Sequence, residues 1–203
     1  MRKLIALFLL LIPVSLFSQN IDVDILKAIH NPEPVTSDGF FRFVSDASIY
    51  VITSTPVTMA IAGFAKHDNE TIRDACMMAA GTAVSYGMAL GLKYAVKRDR
   101  PFVTYPEDFA DKTGHDYSDS YSFPSGHSTT AFATATALTL EYPKWYVIVP
   151  SYAYAGTVAY SRMHLGVHYP SDVLAGAFIG SGCAYLSHVI NKKLNGKSNK
   201  QCR

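Results

Sequence analysis

Residues 75–92 read ACMMAAGTAVSYGMALGL, a run without a single Asp, Glu, Lys or Arg. It is too long and too Ala-rich for a strand and carries few turn signals, so it predicts a helix. Working outward, the same reading applies to Ala47–Ala65, Trp145–Ser161 and Val173–Ile190, each also free of charge, and to the shorter Ser128–Leu140. Upstream, Ile21–Ile29 (IDVDILKAI) sets Ile21, Val23, Ile25, Leu26 and Ile29 at helical spacing before Pro32 and Pro34 stop it, which predicts a short amphipathic lead-in. The expected fold is all-α, a helical bundle of five to six membrane-embedded helices. Small residues over Ala79–Ala83 and Ala131–Ala137 favour close helix approach.

A chain of 203 residues fits one catalytic domain, expected over 19–203 with its core at about 39–191. Charged residues make up only 17%, below the roughly 25% of an average soluble domain, which favours a buried or membrane-embedded helical protein. The net charge of +2 gives no global field to recruit nucleic acid, so an anion site must be local. In Met1–Asn20, Arg2 and Lys3 precede the apolar run Leu4–Phe17, as in a targeting segment. Residues 1–18 are either a cleaved signal peptide or a first membrane helix: Ser18 suits cleavage, whereas Leu16 stands where a small residue is preferred. Cys76, Cys183 and Cys202 show no metal-ligand spacing and read as core residues and a tail thiol. Phe102–Ser122, the one long loop, scatters its acidic residues among aromatics and is expected to form a lid. The Lys192–Arg203 tail reads as short, basic and frayed.

Three blocks carry chemistry. In Lys93–Pro101, Lys93 and Arg100 lie about two helical turns apart, and Pro101 is expected to stop that helix just after Arg100, so two cations can enter one pocket. In Phe123–His127, Ser125 is a natural N-cap, and the Ser125–Gly126 turn points free N–H groups at an anion with His127 at the rim. In Ser161–Asp172, Arg162 ends a helix and Pro170 opens the next. Four residues separate His168 from Asp172, near enough for the carboxylate to accept the Nδ1 proton and leave Nε2 nucleophilic. His164 reads as a bystander.

Together these blocks resemble the type 2 phosphatidic-acid phosphatases, whose signature is Lys-x6-Arg-Pro, then Pro-Ser-Gly-His, then Ser-Arg-x5-His-x3-Asp. It is matched in order at Lys93–Pro101, Pro124–His127 and Ser161–Asp172. The resemblance spans roughly Gly81–Ile190. It implies that Lys93, Arg100, Ser125, Gly126 and Arg162 hold phosphoryl oxygens, that His168 attacks phosphorus, and that Asp172 orients His168. His127 would protonate the leaving alcohol and then activate water. The implied enzyme is a metal-independent phosphoric monoester hydrolase without cofactor, its site at one end of the bundle.

The expected partners are a phosphorylated lipid substrate and the membrane; nucleic acid is not one, and the oligomeric state is not readable. Candidate substrates are phosphatidate, phosphatidylglycerol phosphate, undecaprenyl pyrophosphate and lipid A phosphates. A soluble periplasmic acid phosphatase, a vanadium-dependent haloperoxidase and an inactive phosphate-binding membrane protein remain as alternatives. Counting helices against basic residues predicts a bacterial inner-membrane protein with all three blocks on the periplasmic side and the Lys192–Arg203 tail in the cytoplasm.

Overall fold

The structure, a computed structural model, describes residues 21–117 and 120–201, the last eight of these as backbone only. The expected leader, residues 1–20, lies outside the described residues. Described residues form helices and irregular segments and no strand. The helices are α1 (residues 21–29), α2 (Asp38–Lys66), α3 (Asn69–Val96), α4 (Pro101–Thr104), α5 (Gly126–Glu141), α6 (Trp145–His164) and α7 (Pro170–Gln201). Each long helix outruns its apolar stretch because polar residues cap and extend it. Asp68, for example, accepts hydrogen bonds from the backbone N–H groups of Glu70 and Thr71 to start α3. The tail expected to fray continues α7 as helical backbone to Gln201.

One boundary departs from expectation in a way that shapes the site. Helix α3 ends at Val96, not after Arg100, because Lys97 adopts the left-handed conformation (φ 53°) and its N–H caps the Lys93 carbonyl. Pro101 then opens α4 at its first turn, with Arg100 as the N-cap.

Small residues form the interior. Helix α5 buries Ala131, Ala133, Ala135 and Ala137 together with Ser128, Thr129, Thr134 and Thr136, and it packs on α2, α3, α6 and α7. Its closest partner is α7, where Gly176 and Gly180 face it four residues apart. A Cβ on Gly180 would lie 2.0 Å from the Thr129 carbonyl oxygen, and one on Gly176 would lie 2.7 Å from that of Ser125. This small-x3-small contact is how helices approach when the surroundings offer no hydrophobic drive.

Large apolar side chains lie on the outside: Phe43, Tyr50, Ile61 and Phe64 of α2, Val84 and Met88 of α3, and Phe178 and Leu186 of α7 are all exposed. An apolar exterior over a small-residue, hydroxyl-bearing interior suits a hydrocarbon solvent. Three helical stretches, Asp38–Lys66, Asn69–Thr104 and Pro170–Lys193, are long and apolar enough to cross a membrane. The expected fourth, over α6, does not reach that hydropathy, since Tyr146, Tyr152, Tyr154, Tyr160 and Pro150 dilute it.

Helix α1 also differs from its sequence pattern. Ile21 and Ile25 face outward, while Asp22, Leu26 and His30 face inward, Leu26 against Phe109 and Tyr169. The inward stripe follows the i, i+4, i+8 rule but is mostly polar, so apolar periodicity alone picks the wrong face.

The α5–α7 contact gives a direct test. We predict that Gly180→Ala destabilises the folded protein by about 1–3 kcal/mol through overpacking against Thr129. On the same helix, Gly182 has open space around a notional Cβ, and Gly182→Ala should be neutral or stabilising by up to ~1 kcal/mol. Thermal unfolding of both variants in one detergent reads the difference.

Candidate active site

The C-terminal ends of α3 and α6 and the N-terminal ends of α5 and α7 meet at one end of the bundle, cross-linked by backbone. Ser125 donates its N–H to the Asp172 carbonyl (3.0 Å), joining the second and third blocks. Arg100 Nη1 donates to the Val167 carbonyl (2.9 Å), joining the first and third. Gly166 lets the α6–α7 connection turn: its φ is +76°, and a Cβ there would lie 2.3 Å from the Ala110 carbonyl oxygen. Lys93, Arg100, Gly126, His127, Arg162 and His168 line a common cavity of about 250 Å³, with Tyr117 and Ser120 completing its wall. Ser125 and Asp172, fully buried, stand behind that lining. Ser125 caps α5 as expected, accepting from the Ser128 N–H.

The three cations are held largely by neutral oxygens. Lys93 Nζ donates to the carbonyls of Tyr121 (2.6 Å) and Ser122 (3.3 Å). Arg100 donates through Nε and Nη2 to Ser120 Oγ, and its guanidinium lies 4.5 Å from the centre of the Tyr117 ring. Arg162 is 1% exposed and its guanidinium lies 5.4 Å from the centre of the Tyr117 ring; its Nη1 donates to Ser45 Oγ (2.5 Å), while Nε and Nη2 have no hydrogen-bond partner among the described residues. Buried, half-satisfied guanidinium N–H groups beside two further cations make an oxyanion site, because an unpaired buried charge is costly until an anion meets it.

His168 is buried at the cavity. Burial, and then the charges of Arg100, Lys93 and Arg162, hold its imidazole pKa well below the ordinary value, so the ring is neutral at pH 7. Its Nδ1 lies 3.5 Å from Asp172 Oδ2, longer than a hydrogen bond, and it has no hydrogen-bond partner among the described residues. Asp172 is engaged elsewhere: Oδ1 accepts from Arg98 Nη1 (2.8 Å) and Oδ2 from the Tyr169 N–H (2.9 Å). The expected His168–Asp172 pairing is therefore an approach and not a bond in this structure, because the carboxylate is shared among three donors' directions.

Described residues of the segment expected as a lid, Phe102–Ser122, pack against the bundle, the first three within α4. Phe109, Thr113 and Ser122 are buried, Arg42 Nε of α2 donates to the Lys112 carbonyl (3.0 Å), and Lys112 pairs with Asp38 (2.9 Å). His164 lies outside the cavity lining; its Nε2 bonds Asp38 Oδ1 at 2.8 Å. Reasoning from sequence missed Ser45, Tyr117, Arg98 and Asp22. Of these only Arg98, inside the first block, carried a signal near a motif; Asp22 sits in the Ile21–Ile29 stretch read for its apolar pattern alone, and Ser45 falls just before the Ala47–Ala65 run.

The sequence profile of the PAP2 superfamily matches residues 74–195, more than half of the chain and all three blocks. The chain belongs to the PAP2 superfamily. It is 31% identical over 176 residues to an undecaprenyl-diphosphatase of Sulfolobus acidocaldarius, covering 83% of this chain and 79% of that protein. It is 40% identical over 102 residues to the lipid A 1-phosphatase of Rhizobium johnstonii, where the match covers 49% of this chain and 40% of the relative. Among solved structures, Aquifex aeolicus LpxE superposes with a TM-score of 0.68 at 25% identity, covering 81% of this chain and 92% of that one. The transmembrane PAP2-type phosphatidylglycerolphosphate phosphatase of Bacillus subtilis superposes over 95% of this chain and 98% of its own at a TM-score of 0.72 and 24% identity, a likeness of fold. This PAP2 protein is accordingly a phosphatase with the helical membrane fold of its family.

Because Ser45 holds one edge of Arg162, Ser45→Ala should loosen the guanidinium. We predict about tenfold weaker inhibition by orthovanadate, the low end of the loss of a hydrogen bond to a charged group. The inhibition constant measured for both proteins at one pH tests it.

Proposed function

We propose that this PAP2 phosphatase hydrolyses phosphate esters of membrane lipids through a phosphohistidine formed on His168. The observation that carries the reading is that two cavities lie side by side and share a border. Tyr86 and His127 border both the cationic cavity and a larger apolar one of about 700 Å³, which lies between α2, α3 and α5 and is walled by Ile49, Ile52, Val57 and Ala83. A phosphoryl head meets three cations while an aliphatic tail lies among apolar side chains, and His127 stands where head and tail join. The names of the lipid-acting relatives support the same class.

The chemistry follows from placement. Lys93, Arg100 and Arg162 neutralise the equatorial oxygens of the transferring phosphoryl group, with the free Nε and Nη2 of Arg162 as a bidentate fork. Neutral His168 attacks phosphorus through Nε2 as the P–O bond to the lipid alcohol breaks. His127, whose pKa burial and the charges of Arg162, Arg100 and Lys93 push down to about 3 before an anion binds, takes up a proton with the phosphate that offsets those cations and gives it to the departing oxygen. Asp172 accepts the Nδ1–H bond as positive charge builds on the ring, closing the 3.5 Å gap. His127, now neutral, then takes a proton from water as that water attacks phosphorus and returns the electron pair to His168 Nε2. Three fixed cations supply the charge stabilisation that a metal provides elsewhere, which supports a metal-independent reaction.

The bundle's two ends support an orientation. The end opposite the site carries Lys66, Arg73 and Lys144 near helix termini and Lys192 and Lys193 at the end of the apolar stretch of α7, together with exposed Trp145 and Tyr146. Basic residues favour the cytoplasm and amphipathic aromatics the membrane–water boundary, so the cavity end faces the periplasm of an inner-membrane protein.

His168→Ala should abolish turnover, and Asp172→Asn should lower kcat by several hundredfold or more with little change in KM. Parallel kinetics on a lipid phosphate and p-nitrophenyl phosphate check both; a His168→Ala enzyme of near wild-type rate excludes the nucleophile. The depressed pKa of His168 fixes a sign as well. The reactive neutral ring persists as pH falls through 6.5, so the acid limb of kcat/KM lies below that pH. A limb centred at or above pH 6.5 contradicts the placement of His168 among the cations.

A further inference from the structure

Behind His168 runs a chain of charges that reaches the segment preceding the bundle. Asp172 Oδ1 accepts from Arg98 Nη1 (2.8 Å), and Arg98 Nη2 donates to Asp22 Oδ2 (2.9 Å). Asp22 Oδ1 accepts the Ser171 N–H (2.9 Å), and Ser171 Oγ bonds both Asp22 Oδ2 and Arg98 Nη1, the latter at 2.6 Å. The guanidinium is clamped face-on as well, its centre 3.8 Å from the Tyr169 ring centre. Asp22 is 5% exposed and Asp172 is fully buried. None of these groups borders the cationic cavity.

We propose that Asp22 is a positioning residue for phosphoryl transfer, acting through Arg98 on Asp172 and hence on His168; this rests on the reading of His168 as the nucleophile. The charge balance gives the reason. Arg98 against Asp172 alone is a neutral pair, its carboxylate turned to the guanidinium and not to the imidazole. With Asp22 on the far side of Arg98, two carboxylates share one guanidinium, and a net negative charge remains behind His168. That charge matters only when the imidazole becomes cationic, as it does on bonding phosphorus. The groups facing His168 are Lys93 from α3, Arg100 at the start of α4, His127 from α5 and Arg162 from α6, all cationic or able to become so. The Asp22–Arg98–Asp172 set is the counterweight. Asp22 also fixes the start of α7 through Ser171, which keeps Asp172 within reach of Nδ1.

A merely structural Asp22 would affect stability without a specific kinetic signature. The proposal instead expects Asp22→Asn, which keeps shape and removes charge, to lower kcat on p-nitrophenyl phosphate by about 10–100-fold, the range for residues that orient a histidine ligand from behind. KM should stay within about twofold, since Asp22 touches no substrate. The acid limb of kcat/KM should move to lower pH, because removing a negative charge disfavours protonated His168. In the Asp172→Asn background the same substitution should cost little more, as expected of residues acting in series. Unchanged kcat in folded Asp22→Asn, or a full additional loss on top of Asp172→Asn, overturns the proposal. Should Asp22→Asn fail to fold, Ser171→Ala, which removes the hydroxyl bound to both Asp22 and Arg98, must show a KM-neutral loss of kcat, and its absence overturns the proposal equally. His168→Ala measured alongside separates the two levels. If it is active, the nucleophile reading fails; if it is inactive while Asp22→Asn is unaffected, only the role of Asp22 fails.

Discussion

A guanidinium almost wholly removed from solvent, with Nη1 tied to Ser45 and its Nε and Nη2 without hydrogen-bond partners among the described residues, is the constraint around which this molecule is organised. Leaving such donors unmet costs several kcal/mol in a folded protein, more when neighbours carry the same sign. Lys93 and Arg100 border the same cavity, each steadied by carbonyls and hydroxyls of the described residues. The fold therefore carries a deficit of negative charge at one spot. A phosphoryl group offsets it, and a transition state with charge spread over three equatorial oxygens offsets it best.

Holding three like charges together demands a scaffold that cannot relax away from them, and the small-residue interior supplies it. Gly176 and Gly180 bring α7 against the first turns of α5, which places Ser125 N–H on the Asp172 carbonyl and so sets His127 and His168 on a common frame. Gly166 turns the chain between Arg162 and His168 where a side chain would collide with Ala110. Apolar bulk is left on the outside for the membrane, and the apolar cavity between α2, α3 and α5 shares Tyr86 and His127 with the cationic one. Packing, solvent and the proposed substrate class thus follow from one choice of residue sizes.

Much of this was legible in the chain. Uncharged runs gave helices α2, α3, α5, α6 and α7, and the residue types at Lys93, Arg100, Ser125, Gly126, His127, Arg162 and His168 pointed to an oxyanion site that the structure gathers at one end. What stayed hidden depended on contacts distant in sequence or on single backbone angles. The left-handed Lys97 that ends α3 early has no compositional signature, being neither Gly nor Asn. Ser45 meets Arg162 across more than a hundred residues. In α1, Ile21 and Ile25 advertise an apolar face that the fold turns outward, because Asp22 and His30 have polar partners to reach inside. The spacing of His168 and Asp172 gave proximity but not the competition of Arg98 for the carboxylate.

The central claim is that phosphorus becomes bonded to His168 during turnover, and trapping that bond tests it most directly. Enzyme mixed rapidly with a ³²P-labelled lipid phosphate and quenched in base, which preserves phosphoramidates, would be digested and its peptides mapped by mass spectrometry. Phosphate on the peptide containing His168, absent from His168→Ala and accumulating in His127→Ala with an activated aryl phosphate, is the predicted result. Label on another residue, or turnover with no protein-bound phosphate at any quench time in either wild type or His127→Ala, would contradict it.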